Sequence, residues 1–239
     1  MIFLGIVLLG AVVYIVVSDW LFMKKDLTKI DRLKMYKETI LMQWSILLLV
    51  CIAWLIGDFE WHQLFTIDSI ESDNMIEYSS SFIVGVVVGL SLLIVIWTWR
   101  VKNGSKHKPV IENVSFFLPQ TKRERMTFIF IAATAGICEE IIFRGAMAVF
   151  LLSLPFDWSL NTVAIISAII FGVVHYYQGV KGMLATGLFG FVAFNIYVSS
   201  GSLLLPILIH FVIDLKFVFT PNGQLEDSGD MRGIKQYKF

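Results

Sequence analysis

The chain has little of what a soluble or secreted domain of its length carries. Charged residues fill 16% of its 239 positions, against about 25% in typical soluble domains. Net charge is zero, so bulk charge implies no nucleic-acid partner. The two cysteines, Cys51 and Cys138, both fall in apolar runs, which argues against a disulfide framework. No internal linker or low-complexity tract marks a boundary, so a single domain over 1–239 is expected. No internal repeat is evident, which weighs against a repeat-built transporter using its carboxylates as a proton relay. The first apolar run lacks a basic leader and an A-x-A-like cleavage site, so it is expected to be a retained helix. The common zinc-protease signature H-E-x-x-H is also missing.

Apolar residues are abundant: 57% of the chain, with a mean hydropathy of +0.76. Several runs approach the ~20 residues a spanning helix needs. We expect an all-α, polytopic membrane helix bundle of about seven transmembrane helices. The expected spans are roughly 1–18, 40–57, 80–99, 126–150, 160–177, 182–199 and 203–220. Basic residues alternate between the loops. Loop 19–39 carries Lys24, Lys25, Lys29, Arg32, Lys34 and Lys37, and loop 100–125 is similarly basic. Loop 58–79 carries only acidic charges, among them Asp58, Glu60 and Glu77, and loops 151–159 and 200–202 have no Lys or Arg. By the positive-inside rule, the N-terminus is outside and the C-terminus cytoplasmic, with 221–239 a cytoplasmic tail. Residues 111–121 are too short to span and are expected at the interface. The Gly85-x-x-x-Gly89 spacing is expected to serve helix packing.

Three of these apolar stretches hold groups that lipid does not tolerate: Glu139-Glu140-Ile-Ile-Phe-Arg144, Phe171-Gly-Val-Val-His175 and His210-Phe-Val-Ile-Asp214. A charge at the bilayer centre costs at least ~3 kcal/mol on insertion scales. Such groups persist because they pair, line a cavity or do chemistry. Residues four apart share a helix face, so Glu140 and Arg144 can pair. Glu139 then points about 100° away and is left free to hold a water. It is the candidate general base, returning the proton later as an acid. His175 and His210 are the histidines inside expected spans, whereas His62 and His107 lie in loops. Asp214, one turn after His210, can orient that imidazole, or donate to an oxyanion if protonated. The same Glu139, His175 and His210 atoms could instead bind zinc, since two histidines and a glutamate are a known catalytic ligand set. Blander roles are open as well. Glu140–Arg144 can be only a buried ion pair, Phe143 and Phe171 packing residues, and Asn195 a helix–helix hydrogen-bonding group. Tyr176 and Tyr177 can be interfacial anchors.

The three motifs, in order on separate helices, resemble the CAAX-protease and bacteriocin-processing family (CPBP, or Abi), whose relatives include type II CAAX prenyl endopeptidases. Its pattern is E-E-x-x-x-R, then F-x-x-x-H, then H-x-x-x-N/D. The flanks Phe143-Arg144-Gly145 and His175-Tyr-Tyr-Gln-Gly179 resemble bacterial members too. The resemblance covers about 105–220, the expected protease core, and the first hundred residues match only as generic membrane helices. It implies an intramembrane endopeptidase, a hydrolase in a bacterial plasma membrane, acting on a membrane-associated peptide or protein. Processing of CAAX ends, bacteriocins or pheromones all fit that description. Glu139 would activate water with His175 assisting, Glu140 and Arg144 would support, and His210 with Asp214 would stabilise the oxyanion. Asp214 stands where prenyl-endopeptidase relatives often have Asn, so orienting His210 is the safer role for it. The resemblance implies no certain cofactor and leaves Zn2+ open. A non-catalytic bacteriocin-immunity or peptide-binding protein on the same scaffold is the alternative.

Depth poses a geometric question. Glu139 lies roughly 21 Å along its helix from Arg125 at 1.5 Å per residue. His175 lies only a few residues from the cytoplasmic end of the next span. A tilt, a break near Gly136 or an interfacial start of the helix would bring them level. A cavity open to the cytoplasm is expected, because hydrolysis needs water.

Overall fold

The computed structural model describes residues 1–27, 30–67 and 112–219. The expected third span 80–99, with Gly85 and Gly89, residues 68–79 of loop 58–79, residues 100–111 of loop 100–125, and the tail 221–239 lie outside the described residues. Among those described, every regular element is helical. They are α1 (Ile2–Met23), α2 (Arg32–Ile56), α3 (His62–Phe65), a 3-10 turn (Glu112–Phe117), α4 (Lys122–Glu140), a π-helical segment (Ile141–Ala146), α5 (Met147–Leu152), α6 (Leu160–Val173), a 3-10 turn (Tyr176–Gln178), α7 (Gly179–Ser200), α8 (Leu204–Leu215) and a final 3-10 turn (Lys216–Phe219).

Local sequence explains where the helices start. The Asp31 carboxylate accepts from the Lys34 N–H and caps α2. Thr121 and Glu124 form a reciprocal capping box at the head of α4. The Ser159 hydroxyl accepts from the Thr162 N–H and starts α6. At the far end of α7, Gly201 takes φ +66°, the left-handed stop that glycine adopts without strain.

Among the described residues, four helical stretches are long and apolar enough to cross a bilayer: 2–23, 32–56, the continuous run 122–152, and 176–200. The chain is therefore a multi-pass membrane protein. Only 11% of the α1 window is buried within the protein, whereas 61% of the 122–152 window is. The α4–π–α5 rod is thus the central element, with α1 on the periphery. The fifth and seventh expected spans are shorter α-helices, of 14 and 12 residues, each followed by a turn ending in 3-10 geometry.

Close approach between helices sets the site. A Cβ added at Gly136 would meet the Ile207 carbonyl oxygen at 3.1 Å and the Phe211 nitrogen at 3.2 Å. The missing side chain therefore lets α8 seat directly on α4. A Cβ at Gly172 would lie 2.7 Å from the Met183 carbonyl oxygen, so α6 and α7 also touch backbone to backbone. Helix α4 runs unbroken through Gly136, which removes that route to levelling the site residues. The irregularity comes later, in the π turn that begins one residue after Glu140. A π turn loosens the backbone hydrogen-bond ladder. Here the buried Ser167 hydroxyl of α6 donates to the Phe143 carbonyl at 2.9 Å, supplying a partner from outside the helix.

A second apolar cluster closes the end of the bundle where α4 begins. Tyr36, Phe116, Phe128 and Val218 are buried there, and the Tyr36 hydroxyl donates to the Phe117 carbonyl at 2.7 Å. Residues 112–117 are held against α2 by this contact and by the Arg32 Nε donating to the Phe116 carbonyl. The Arg125 guanidinium donates to the Val218 carbonyl, tying the start of α4 to the end of the described chain.

Candidate active site

Glu139 and Glu140 end α4, Arg144 sits in the π segment, His175 follows α6, and His210 and Asp214 lie on α8. The packing brings all six together. Glu140 and Arg144 are 0% and 1% exposed, and Arg144 Nη1 lies 3.2 Å from Glu140 Oε1. The guanidinium also stacks over the Phe171 ring, 4.1 Å from its centroid, a cation–π contact in a dry setting. Phe171 is thus more than filler: its ring holds Arg144 and its carbonyl holds His175.

The two histidines are fixed from behind. His175 Nδ1 lies 2.7 Å from the Phe171 carbonyl oxygen. A carbonyl only accepts, so Nδ1–H donates and Nε2 carries the lone pair when the ring is neutral. His210 Nδ1 lies 2.7 Å from Glu140 Oε1, a contact buried at both ends. Glu140 therefore gathers Arg144 and His210 on one oxygen. The sequence pointed to Asp214 as the group orienting His210. In the structure Glu140 does so at Nδ1, while Asp214 Oδ2 stands 3.7 Å away on the Nε2 side.

The outward nitrogens face Glu139. Its Oε2 lies 3.7 Å from His175 Nε2 and 3.9 Å from His210 Nε2. These separations are too long for direct hydrogen bonds. One water about 2.8 Å from both partners spans such a gap. Among the described residues, the buried side-chain polar atoms without a hydrogen-bond partner are Gln43 Oε1, Glu139 Oε2, Glu140 Oε2 and the three guanidinium nitrogens of Arg144. All of them belong to this cluster. Buried groups of this kind are normally satisfied by water or ligand. The arrangement can hold a water and take its proton.

Sequence reasoning missed Gln43. It projects from α2, and its Nε2 donates to Glu139 Oε1 at 2.6 Å. The signal was a lone amide in the apolar run Ile40-Leu-Met-Gln43-Trp-Ser-Ile-Leu-Leu-Leu. Asn195 also departs from expectation. Its Nδ2 donates to the Phe191 carbonyl of its own helix, not to a neighbour. Tyr177 stacks near His175, 6.0 Å between centroids, and its hydroxyl accepts from Gln178 Nε2 at 3.2 Å, so it borders the cluster.

Glu139, His175 and His210 have the chemistry of a zinc ligand set. As placed, however, no three His, Cys, Asp or Glu side chains among the described residues close on a common point that would hold a metal ion.

Residues 122–215 match the family model described as type II CAAX prenyl endopeptidase, Rce1-like. The match spans all six motif residues, so this segment is similar to the Rce1-like proteins, in agreement with the CPBP resemblance. It supports a CAAX-type protease, a hydrolase embedded in the membrane. No curated protein and no solved structure matches the chain.

Proposed function

We propose that the chain is an intramembrane endopeptidase that hydrolyses a peptide bond of a membrane-associated protein or peptide, using a water activated by Glu139 and His175. The observation that carries this reading is the facing of Glu139 Oε2, without a hydrogen-bond partner among the described residues, towards the Nε2 atoms of two histidines from other helices. Water held between Glu139 and His175 attacks the scissile carbonyl carbon, and its proton passes to Glu139 Oε2. The carbonyl π electrons move to oxygen. As the tetrahedral intermediate collapses, the C–N bond breaks and Glu139 returns the proton to the leaving nitrogen.

The developing oxyanion needs a donor, and His210 is placed to supply one. Glu140 already occupies Nδ1, so His210 donates from Nε2 as an imidazolium. Glu140 on one side, with Glu139 and Asp214 on the other, supplies its counter-charge. Asp214 then acts on His210 and not on the substrate. Arg144 holds Glu140 in place and is itself held by Phe171. The protease core is 105–220, with the N-terminus outside and the site open to the cytoplasm.

The test is a comparison of membrane proteomes from cells carrying the wild type or Glu139→Ala at equal abundance. A precursor that accumulates uncleaved only in the variant identifies the substrate class, whether a CAAX end, a bacteriocin or pheromone leader, or a membrane regulator. Identical peptide profiles, with any cellular phenotype preserved, would refute the enzyme and favour a peptide-binding scaffold.

A further inference from the structure

We infer that Gln43, from α2, is the positioning residue that decides which oxygen of Glu139 does the chemistry. The inference rests on the reading of Glu139 as general base and adds a residue outside the three motifs and outside the matched segment. A carboxylate has two equivalent oxygens and a freely turning terminal torsion. Gln43 Nε2 donates to Oε1 at 2.6 Å. This bond breaks the equivalence: Oε1 is tied down, and Oε2 is left facing His175 and His210 at 3.7 and 3.9 Å. The amide orientation follows from the charges. Turning Gln43 over would set its carbonyl oxygen against an ionised carboxylate oxygen, two acceptors with no hydrogen between them.

Two further observations fit a built contact. Gln43 Oε1 is buried and meets no donor among the described residues. Once Nε2 is committed to Glu139, that oxygen is the acceptor for a hydrogen entering the site, from water or from a substrate amide. Next along α2, Trp44 Nε1 donates to Thr134 Oγ1 at 3.2 Å. The two bonds pin α2 to α4 about 1.4 turns apart, so Gln43 reaches Glu139 from a fixed base. Without Nε2, the carboxylate turns and Oε2 loses its aim between the imidazoles. Misplacing a reacting group by about 1 Å costs on the order of 10²-fold in rate.

The experiment compares the wild type, Gln43→Met, Thr134→Val, Glu139→Gln and Glu139→Ala as full-length protein in membranes. Methionine keeps the length of the side chain and removes the donor. Infrared spectra of protein labelled with carbon-13 glutamate give the Glu139 carboxylate band as the difference between the wild type and Glu139→Gln. That band should move in Gln43→Met and stay in Thr134→Val, which breaks only the neighbouring α2–α4 bond. In cells, at equal abundance of folded protein, the half-life of the precursor that accumulates with Glu139→Ala should lengthen about 10- to 100-fold in Gln43→Met. An unmoved band, or a moved band with wild-type cleavage, overturns the role of Gln43 while leaving Glu139 as base. Wild-type cleavage by Glu139→Ala instead overturns the base itself, and the positioning role with it.

Discussion

Removing Arg144 should unsettle the protein more than removing the Glu139 carboxylate. The guanidinium and the Glu140 carboxylate are 1% and 0% exposed and 3.2 Å apart. Two unit charges at that distance attract by about 5 kcal/mol at an effective dielectric of ~20. Taking away one partner of a buried pair typically costs about 3–5 kcal/mol, because the other charge is stranded. In Arg144→Met, Glu140 is left with His210, at 2.7 Å, as its remaining partner. The loss therefore spreads to α8. Glu139→Gln keeps the size of its side chain and an oxygen for Gln43 Nε2, and leaves the Glu140–Arg144 pair intact. At about 2–4 °C per kcal/mol for a chain of this length, Arg144→Met should lower the melting temperature in detergent by on the order of 10 °C. Glu139→Gln should lower it by a few degrees at most. The double variant Glu140→Gln with Arg144→Met should lose less than the two single losses added, since neither charge of the pair is left without the other. Thermal unfolding of the purified variants followed by tryptophan fluorescence measures all four proteins. Equal, negligible shifts for Arg144→Met and Glu139→Gln would mean that the pair does not hold the fold together.

Orientation is tested by single cysteines in Cys51- and Cys138-free protein: those in loop 58–79 should react with an impermeant thiol reagent in intact cells, and those in loop 100–125 should not, and the reverse labelling would invert the topology. Asp214→Asn should be milder than Asp214→Ala in a cleavage assay, and both milder than His210→Ala, because Asp214 stands 3.7 Å from His210 on a partly exposed edge; an Asp214→Ala loss equal to that of His210→Ala would give Asp214 a direct role. Cleavage should survive phenanthroline, with elemental analysis finding no stoichiometric metal in active protein; zinc whose removal and return switches activity off and on would replace the water-activation scheme with a metal-assisted one.

Much of the site could be read from the chain because charge in an apolar run is rare and one helical turn fixes who can meet whom. Glu140 and Arg144 are four apart, and the structure pairs them. That Glu139, His175 and His210 converge could only be expected from the order of their motifs. The same local logic reached only part of the surroundings of His210. Asp214 shares a helix face with His210, and spacing alone gives no hint that Glu140, 70 positions earlier, takes Nδ1. Gln43 is 96 positions from Glu139, and a single amide in a span has no periodicity to reveal its partner. The π segment was also hidden: Ile141-Ile-Phe-Arg-Gly-Ala146 has an ordinary helical composition, and the hydroxyl that serves its Phe143 carbonyl comes from Ser167 on another helix. A break near Gly136 is one of three routes the sequence offers to a level site, whereas in the structure the helix runs through it and its use is contact, letting α8 lie against α4.

The most direct test of the account is the cleavage rate of the accumulated precursor by purified, folded wild type, Glu139→Ala, His175→Ala, His210→Ala and the double variant Glu139→Ala with His175→Ala. Acid–base groups contribute about 10²–10⁴-fold each, and groups that act as a unit are strongly non-additive. The account predicts that each single variant loses nearly all activity and that the double variant is scarcely slower than either of its singles. Cleavage at the wild-type rate by a normally folded Glu139→Ala protein would contradict it.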